Sequence, residues 1–257
     1  MVKKYTYGKP FFTGAVVKEI SPETSAIPYF SVNTEKGITF EIKLEDNDIV
    51  YGLGEATRGI NKRGYVYESY CSDDFCHLET TKSLYGAHNF ILIEGSVNFG
   101  VFFDYPTRLT FDICFAKADT MTIHAEKADI DVYIIEGNSL LKIVKSFREI
   151  IGKSYIPPRW ALGYMQSRWS YYTSDAVREV AKNYRKAGIP LDAIFLDIDY
   201  MEAYKDFTVN KERFGDLTEL IDEMKQEGIR LVPIIDAGVK IEDGYDIYEE
   251  GLDKGYF

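Results

Sequence analysis

The sequence predicts two regions of different fold class: an all-β antiparallel sandwich up to about residue 155, and the start of an α/β region from residue 156 to residue 257. Three observations predict this division. The first region alternates apolar and polar residues with a period of two, the second alternates apolar runs with amphipathic helices, and Pro157-Pro158 stands between them. We therefore expect two domains, residues 1–155 and residues 156–257.

The first region shows the pattern of strands that have one wet face. Ile38, Phe40, Ile42 and Leu44 alternate with polar residues, which indicates a half-buried strand. Further strands are predicted over residues 90–93, 101–103, 108–115, 121–124 and 131–135. Their spacing is typical of an antiparallel sandwich. A helix is predicted from residue 140 to residue 151, behind a cap at Asn138 or Ser139.

The second region alternates apolar runs with helical stripes. The runs cover residues 161–165, 193–198 and 231–235 and predict three strands. One helix begins at Thr173 or Ser174 and ends at Gly188, and another begins at Asp216 and ends at Gly228. Residues 238–257 are interpreted as a loop or partial helix. Continuous apolar strands between amphipathic helices indicate a parallel sheet covered by helices.

The predicted parallel sheet is incomplete. Three strands leave an open edge, and a complete (β/α)8 barrel takes about 250 residues by itself. We therefore expect the chain to be the front part of a longer protein.

Composition narrows the classes of partner and compartment. The net charge is −11 with no basic face, which argues against nucleic acid and against an anionic membrane as partners. Residues 1–7 lack the apolar stretch of a signal peptide, and the three cysteines form no C-x-x-C pair, so we expect a cytoplasmic protein. Aromatic residues make up 15% of the chain, which fits either stacking on sugars or an aromatic-rich sandwich core.

Polar side chains gather where the predicted parallel strands end. Arg168 and Trp169 follow the first strand, Asp197 and Asp199 the second, and Asp236 the third. Ligands of parallel α/β sheets bind beyond these carboxyl ends. If Asp197 and Asp199 both lay on a strand, they would point the same way, roughly 6.5–7 Å apart, at the spacing of an inverting glycosidase pair. Such side chains run parallel, however, and do not face each other across a bond.

Several other chemistries lack their motifs. Gly52-x-Gly54 is followed by Glu55 with no helical pattern behind it, and no Gly-x-Ser-x-Gly elbow occurs. No His/Cys cluster has metal spacing. We therefore expect no nucleotide, no metal site and no serine nucleophile.

Several motifs in fixed order resemble glycoside hydrolase family 31, the family of α-glucosidases and α-xylosidases. They are Tyr51-Gly52-Leu53-Gly54-Glu55, Leu84-Tyr85-Gly86-Ala87-His88, Pro158-Arg159-Trp160-Ala161-Leu162-Gly163, Gln166-Ser167-Arg168-Trp169, Asp197-Ile198-Asp199-Tyr200-Met201 and Phe207-Thr208. The resemblance runs from about residue 30 to residue 257. It implies a galactose-mutarotase-like sandwich followed by the first part of a catalytic (β/α)8 TIM barrel.

The resemblance also implies roles for individual residues. Asp197 matches the acid that binds hydroxyls of the sugar in the −1 subsite, and Ile198 and Ile234 match apolar walls of that pocket. Trp169 takes the place of an aromatic residue, often Tyr, at the pocket border, and Asp73 matches an acid that the sandwich domain contributes. Because loop lengths vary within the family, the adjacent Asp74 is an alternative to Asp73 for this match. Asp236 matches a supporting acid close to the pocket.

The activity implied is release of a terminal, non-reducing α-linked glucose by a retaining mechanism with two Asp residues and no cofactor. The sequence departs from the family pattern in one respect, because the motifs of the nucleophile and of the acid/base occur nowhere in residues 1–257. We therefore expect the catalytic pair downstream and this segment alone to be inactive.

Several alternatives stay open at this stage. They are an α-xylosidase, a lyase or transglycosylase of the same family, and a non-catalytic sugar-binding protein whose sheet edge an oligomer partner covers. The choice between α-1,4 and α-1,6 bonds and the formation of a homo-oligomer are open as well.

Overall fold

The computed structural model describes residues 1–257, which divide into two compact units, Met1–Ser154 and Tyr155–Phe257. None of the helices combines the length and the apolar character that a membrane crossing requires.

The first unit contains two five-stranded antiparallel sheets and one helix. Its strands are β1 (Val2–Tyr7), β2 (Ser31–Asn33), β3 (Ile38–Lys43), β4 (Ile49–Gly52), β5 (Tyr65–Ser69), β6 (Phe90–Glu94), β7 (Phe99–Asp104), β8 (Leu109–Lys117), β9 (Thr120–Ala125) and β10 (Ile130–Glu136). One sheet has the order β1-β10-β7-β6-β4 and the other the order β2-β3-β9-β8-β5. The sandwich that the sequence predicts is therefore confirmed.

The alternation in β3 explains how the sandwich forms. Ile38, Phe40 and Ile42 are buried, and the residues between them are not. Phe40 and Phe103, from opposite sheets, have ring centroids 5.4 Å apart, and Phe103 and Phe111 lie 5.8 Å apart. Edge-to-face rings at these distances attract each other beyond the effect of burial alone. Many of the aromatic residues thus form the sandwich core.

The helix α1 (Leu140–Ile151) packs on the outer face of the first sheet. Ile143 and Ile150 are fully buried, and the Phe147 ring stacks on Phe90 with centroids 4.0 Å apart. Ser139 caps the helix by accepting a hydrogen bond from the Lys142 amide. Of the two predicted cap positions, Ser139 is the correct one.

The second unit contains a three-stranded parallel sheet with helices. Its strands are β11 (Met165–Ser167), β12 (Ala193–Leu196) and β13 (Arg230–Pro233), and its helices are α2 (Ser174–Lys186), α3 (Lys211–Phe214), α4 (Leu217–Gln226) and α5 (Asp246–Asp253). The strand order is β11-β12-β13. Val177 and Ala181 of α2 and Leu220 of α4 share one buried cluster with Ile194 and Leu196 of β12. Thr173 caps α2 and Asp216 caps α4.

Three predicted strands differ from the structure. The strand over residues 161–165 is wrong: Arg159–Leu162 form a 3-10 helix, closed by the Gly163 amide on the Trp160 carbonyl at 3.1 Å, and β11 begins at Met165. The second run ends at Leu196 because Asp197 caps a 3-10 turn over Ile198–Tyr200. The third strand, β13, ends at Pro233, two residues before the end of the apolar run that predicts it.

Candidate functional site

A cavity of about 460 Å³ opens at the carboxyl ends of β11, β12 and β13. It is lined by Met165, Ser167, Arg168, Phe195, Leu196, Asp197, Val232, Pro233 and Ile234. Its volume is within the range of small-molecule sites, which is about 300–1,000 Å³. The walls are mostly apolar, and Arg168 and Asp197 are the charged groups among them. Such a cavity suits a ligand that has both an apolar face and hydrogen-bonding groups.

Asp197 lies at the point where β12 ends and the 3-10 turn begins. Its Oδ1 accepts a hydrogen bond from the Ile198 amide at 2.8 Å. The side chain is half-buried, and its Oδ2 has no protein partner. Asp197 therefore presents a pre-oriented acceptor to the cavity, which suits the hydroxyl group of a ligand.

The apolar wall contributed by Ile234 is positioned from two sides. Its amide donates to the Leu196 carbonyl at 3.1 Å, and its carbonyl accepts from the Tyr200 hydroxyl at 2.7 Å. The Ile234 side chain is 41% exposed and lines the cavity. Ile198 is half-buried in the neighbouring turn. Burial raises the pKa of the Tyr200 phenol further above neutral pH, where the phenol is a hydrogen-bond donor in any case.

Trp169 follows β11 and is 74% exposed. Its indole Nε1 nevertheless donates to Asp199 Oδ2 at 3.0 Å. Asp199 itself is only 4% exposed, and its Oδ1 lies 3.8 Å from Nη1 of Arg213. The hypothesis that Asp197 and Asp199 form an acid/base pair on a strand loses its premise, because Asp199 lies in the 3-10 turn and points toward Trp169 and Arg213.

Asp236 differs from the other acids of this rim. It is exposed, has φ 55°, and caps no helix. A second buried acid besides Asp199 is Asp206, 2% exposed, whose Oδ2 accepts from the Gly238 amide at 3.2 Å. Sequence reasoning missed Asp206 because a single Asp in a loop carries no pattern. The i, i+2 spacing did mark Asp199, although for a different role.

Asp73 lies in the first unit, in the long connection between β5 and β6. It is exposed, and the interaction of its carboxylate with Tyr85 is the main cause that raises the pKa of that phenol. The Ser72 amide donates to the Leu84 carbonyl at 2.9 Å, which holds the two sides of the connection together. Four of the five predicted sugar-binding residues thus lie at one rim of the second unit, and Asp73 lies in the other unit.

The first unit has a larger cavity, about 720 Å³, near β7 and α1. Phe and Tyr side chains contribute six of its sixteen lining residues, including Phe90, Phe102 and Phe147. Asp104 is an acid of this cavity, and burial raises the pKa of its carboxyl group. None of the predicted sugar-binding residues lines it, so size alone does not identify the site.

Comparison with known proteins agrees with the two units. The model of the "Glycosyl hydrolase 31 N-terminal galactose mutarotase-like domain" matches residues 20–112. The model of the "Glycosyl hydrolases family 31 TIM-barrel domain" matches residues 154–257. Both parts of the chain belong to glycoside hydrolase family 31. The fold is therefore a mutarotase-like sandwich followed by the start of the family 31 barrel.

Family 31 relatives of this chain include enzymes with different substrates. Alpha-glucosidase 2 of Bacillus thermoamyloliquefaciens is 40% identical over 216 residues, 83% of this chain and 27% of its own length. Alpha-xylosidase 1 of Arabidopsis thaliana is 28% identical over 98% of this chain and 28% of its own length. The chain therefore spans less than a third of either curated relative.

The solved structures include a family 31 dextranase of Flavobacterium johnsoniae complexed with isomaltotriose. It matches with a TM-score of 0.73 and 27% identity, over 81% of this chain and 25% of that chain. The fold of the family 31 enzymes is therefore shared over most of the chain.

Proposed function

We propose that this chain supplies part of the sugar pocket of a family 31 α-glucosidase that removes terminal, non-reducing glucose. The observation that carries the proposal is the Asp197 carboxylate, which is oriented by the Ile198 amide at 2.8 Å beside the apolar wall of Ile234. A carboxylate that accepts from hydroxyl groups and an apolar wall that excludes water together orient a pyranose.

Each residue has a separate part in this proposal. Asp197 accepts from sugar hydroxyls, Ile198 and Ile234 exclude water from the ring, and Trp169 borders the entrance. Asp73, in the first unit, stays a prediction from the family resemblance. No cofactor takes part, and we propose a cytoplasmic enzyme, which fits the three free cysteines of the chain.

The chemical step itself is proposed to be retaining. In such a step one Asp attacks the anomeric carbon and another protonates the leaving oxygen. Residues 1–257 carry neither family motif for these two acids. We therefore expect the 257-residue chain to bind sugar without hydrolysing it, with the catalytic pair supplied by later sequence. In an active preparation, proton NMR of the first product should show α-glucose before mutarotation.

The binding role is tested by titrating isomaltose and maltose into the chain by calorimetry. Asp197→Asn should weaken binding about 10- to 100-fold, because hydrogen bonds to a charged acceptor contribute about 1.5–3 kcal/mol. The matched control is Asp192→Asn, which removes the same charge just before β12, at the opposite end of that strand. Asp192→Asn should leave the affinity unchanged. Equal affinity of the parent and the Asp197→Asn variant would refute the role of Asp197.

An α-xylosidase is the second candidate, favoured by the Arabidopsis relative. Xylosides lack the 6-hydroxymethyl group, so a xyloside pocket needs a tighter wall. Tighter binding of methyl α-xyloside than of methyl α-glucoside would favour this candidate. If no sugar binds, the pocket wall of this chain has another ligand, and the α-glucosidase proposal fails for these residues.

A further inference from the structure

A hydrogen bond to the buried carboxylate of Asp199 fixes the orientation of the exposed Trp169 ring. A Trp ring that is 74% exposed normally changes rotamer freely, but this ring is tied at its one polar atom to a carboxylate that is 4% exposed. We propose that Asp199 is a positioning residue that holds the Trp169 ring as a rigid platform for the apolar face of the sugar. The inference rests on the proposed function and adds to it the residue that prepares the platform.

The anchor is itself held in place by its surroundings. Asp199 lies in the 3-10 turn Ile198–Tyr200, and its Oδ1 lies 3.8 Å from Nη1 of Arg213 and 3.5 Å from the Tyr204 hydroxyl. Arg213 belongs to α3 and also donates through Nη2 to the Met201 carbonyl at 3.4 Å. The carboxylate is thus held by the backbone turn and by a cation from the next element. A tether to such a group restricts the indole more than a tether to a mobile surface side chain.

The tether leaves the faces of the ring available. Nε1 lies at the edge of the indole, so the hydrogen bond to Asp199 uses the edge and not the faces. Aromatic faces are the surfaces that pack against apolar faces of ligands. Because the ring is ordered before the ligand arrives, binding does not have to restrict it, and the affinity is higher for that reason.

The two acids of the turn therefore have different tasks. Asp197 keeps Oδ2 free at the cavity, whereas Asp199 is buried and uses both oxygens on protein groups. Asp199 consequently acts through Trp169 and does not touch the sugar. One short turn thus sets both the hydroxyl acceptor and the ring platform.

The experiment uses the full 257-residue chain with Trp160→Phe, which leaves Trp169 as its single Trp. Time-resolved fluorescence anisotropy measures the fast motion of the ring, and calorimetry with isomaltose measures affinity. Asp199→Leu should at least double the amplitude of the fast phase. It should also weaken binding about three- to tenfold, because the free Trp169 ring then loses its rotamer freedom only when the sugar binds, and that entropy cost lowers the affinity. Asp199→Asn keeps an acceptor oxygen and should show a smaller change of both quantities.

Asp206→Asn is the matched control, since Asp206 is a second acid, 2% exposed, that bonds to Gly238 and not to Trp169. This variant should leave the Trp169 anisotropy at the parental value. If Asp199→Leu does not fold, a double-mutant cycle decides the question with milder changes. Trp169→Phe removes the N–H donor, so Asp199→Asn should weaken binding in the parent and have no further effect in the Trp169→Phe chain.

The outcomes separate the inference from the proposed function. If ring motion is unchanged in Asp199→Leu and Asp199→Asn, the tether is refuted. If ring motion increases and isomaltose affinity stays the same, the platform is refuted while sugar binding stands. If the parent binds no isomaltose, the sugar-binding function and the platform fail together, whereas the anisotropy still reports whether Asp199 holds the ring.

Discussion

The two units use their sheets in opposite ways. In the sandwich unit, the inner faces of both sheets are buried against each other, and Phe103 and Phe111 are fully buried. In the second unit, helices cover one face of the sheet, while Phe195 in the strand β12 is 38% exposed and lines the cavity. The comparison shows that an apolar side chain in a strand stabilises the fold in one unit and forms a ligand wall in the other.

The largest expected effect tests this contrast with one residue type. Phe111→Ala should destabilise the sandwich by about 3–5 kcal/mol, because it removes a buried ring and leaves a cavity. Phe195→Ala should cost the second unit less than about 1 kcal/mol, since that ring is already partly in water. Urea unfolding followed by circular dichroism measures the first effect. Trp fluorescence measures the second, because Trp160 and Trp169 both lie in the second unit.

Equal losses for the two substitutions would contradict the contrast, since they would mean that Phe195 stabilises the fold as much as Phe111. A further consequence separates the two roles. Phe195→Ala should change isomaltose affinity, whereas Phe111→Ala should not, as long as the second unit remains folded.

A smaller effect compares the helix caps of the two units. Asp216 Oδ1 accepts from the Thr218 amide at 2.8 Å, while Ser139 Oγ accepts from the Lys142 amide at 3.4 Å. Asp216→Ala should therefore cost the second unit about 1 kcal/mol, and Ser139→Ala should cost the sandwich unit only a few tenths, roughly. Thermal unfolding of the two variants checks the order. A larger loss for Ser139→Ala would contradict it.

The smallest effect concerns acids that the two units bury differently. Asp199 of the second unit has a cation beside it, Arg213, at 3.8 Å. For Asp104 of the sandwich unit, burial is the largest effect, and it raises the pKa of the carboxyl group above the ordinary value of 3.8 despite the hydrogen bond from Thr13. A raised folded-state pKa means that ionised Asp104 destabilises the sandwich above that pKa, and that this penalty disappears below the unfolded value. Asp104→Asn should thus stabilise the unit slightly at pH 7, and the gain should vanish as the pH falls below 3.8.

Denaturation of the parent and the Asp104→Asn variant at pH 7 and at low pH measures this gain. An equal gain at both pH values would mean that charge is not its cause. A loss at pH 7 would mean that the carboxylate is needed by Thr13, whose hydroxyl donates to it at 2.6 Å.

The strands with clear alternation or long apolar runs could be predicted from the sequence. The strand β3 and the helix α1 were found because their apolar residues recur at the period of the element, and both are present. The strand β1 was missed because Tyr5 is its only buried residue, so it shows no apolar pattern. The apolar run over residues 161–165 predicts a strand, although Ala161 and Leu162 belong to the 3-10 helix Arg159–Leu162, because a short apolar run fits both structures.

The candidate site could be predicted in part. The acids at the strand ends follow from the rule that ligands bind there, and the resemblance assigned Asp197, Trp169 and Ile234 to a pocket. The hydrogen bond between Trp169 and Asp199 could not be predicted, because the two residues are 30 positions apart and belong to different loops. Such contacts depend on how loops fold over the rim, which no periodicity encodes.

The bond from the Tyr200 hydroxyl to the Ile234 carbonyl, at 2.7 Å, makes two loops interdependent in mutational terms. A shorter residue at position 200 would release the carbonyl, so the main chain that carries Ile234 could shift. The set of side chains tolerated at position 234 therefore depends on the residue at position 200. Attempts to redesign substrate preference at Ile234 alone would screen a narrower space than libraries that vary the two positions together.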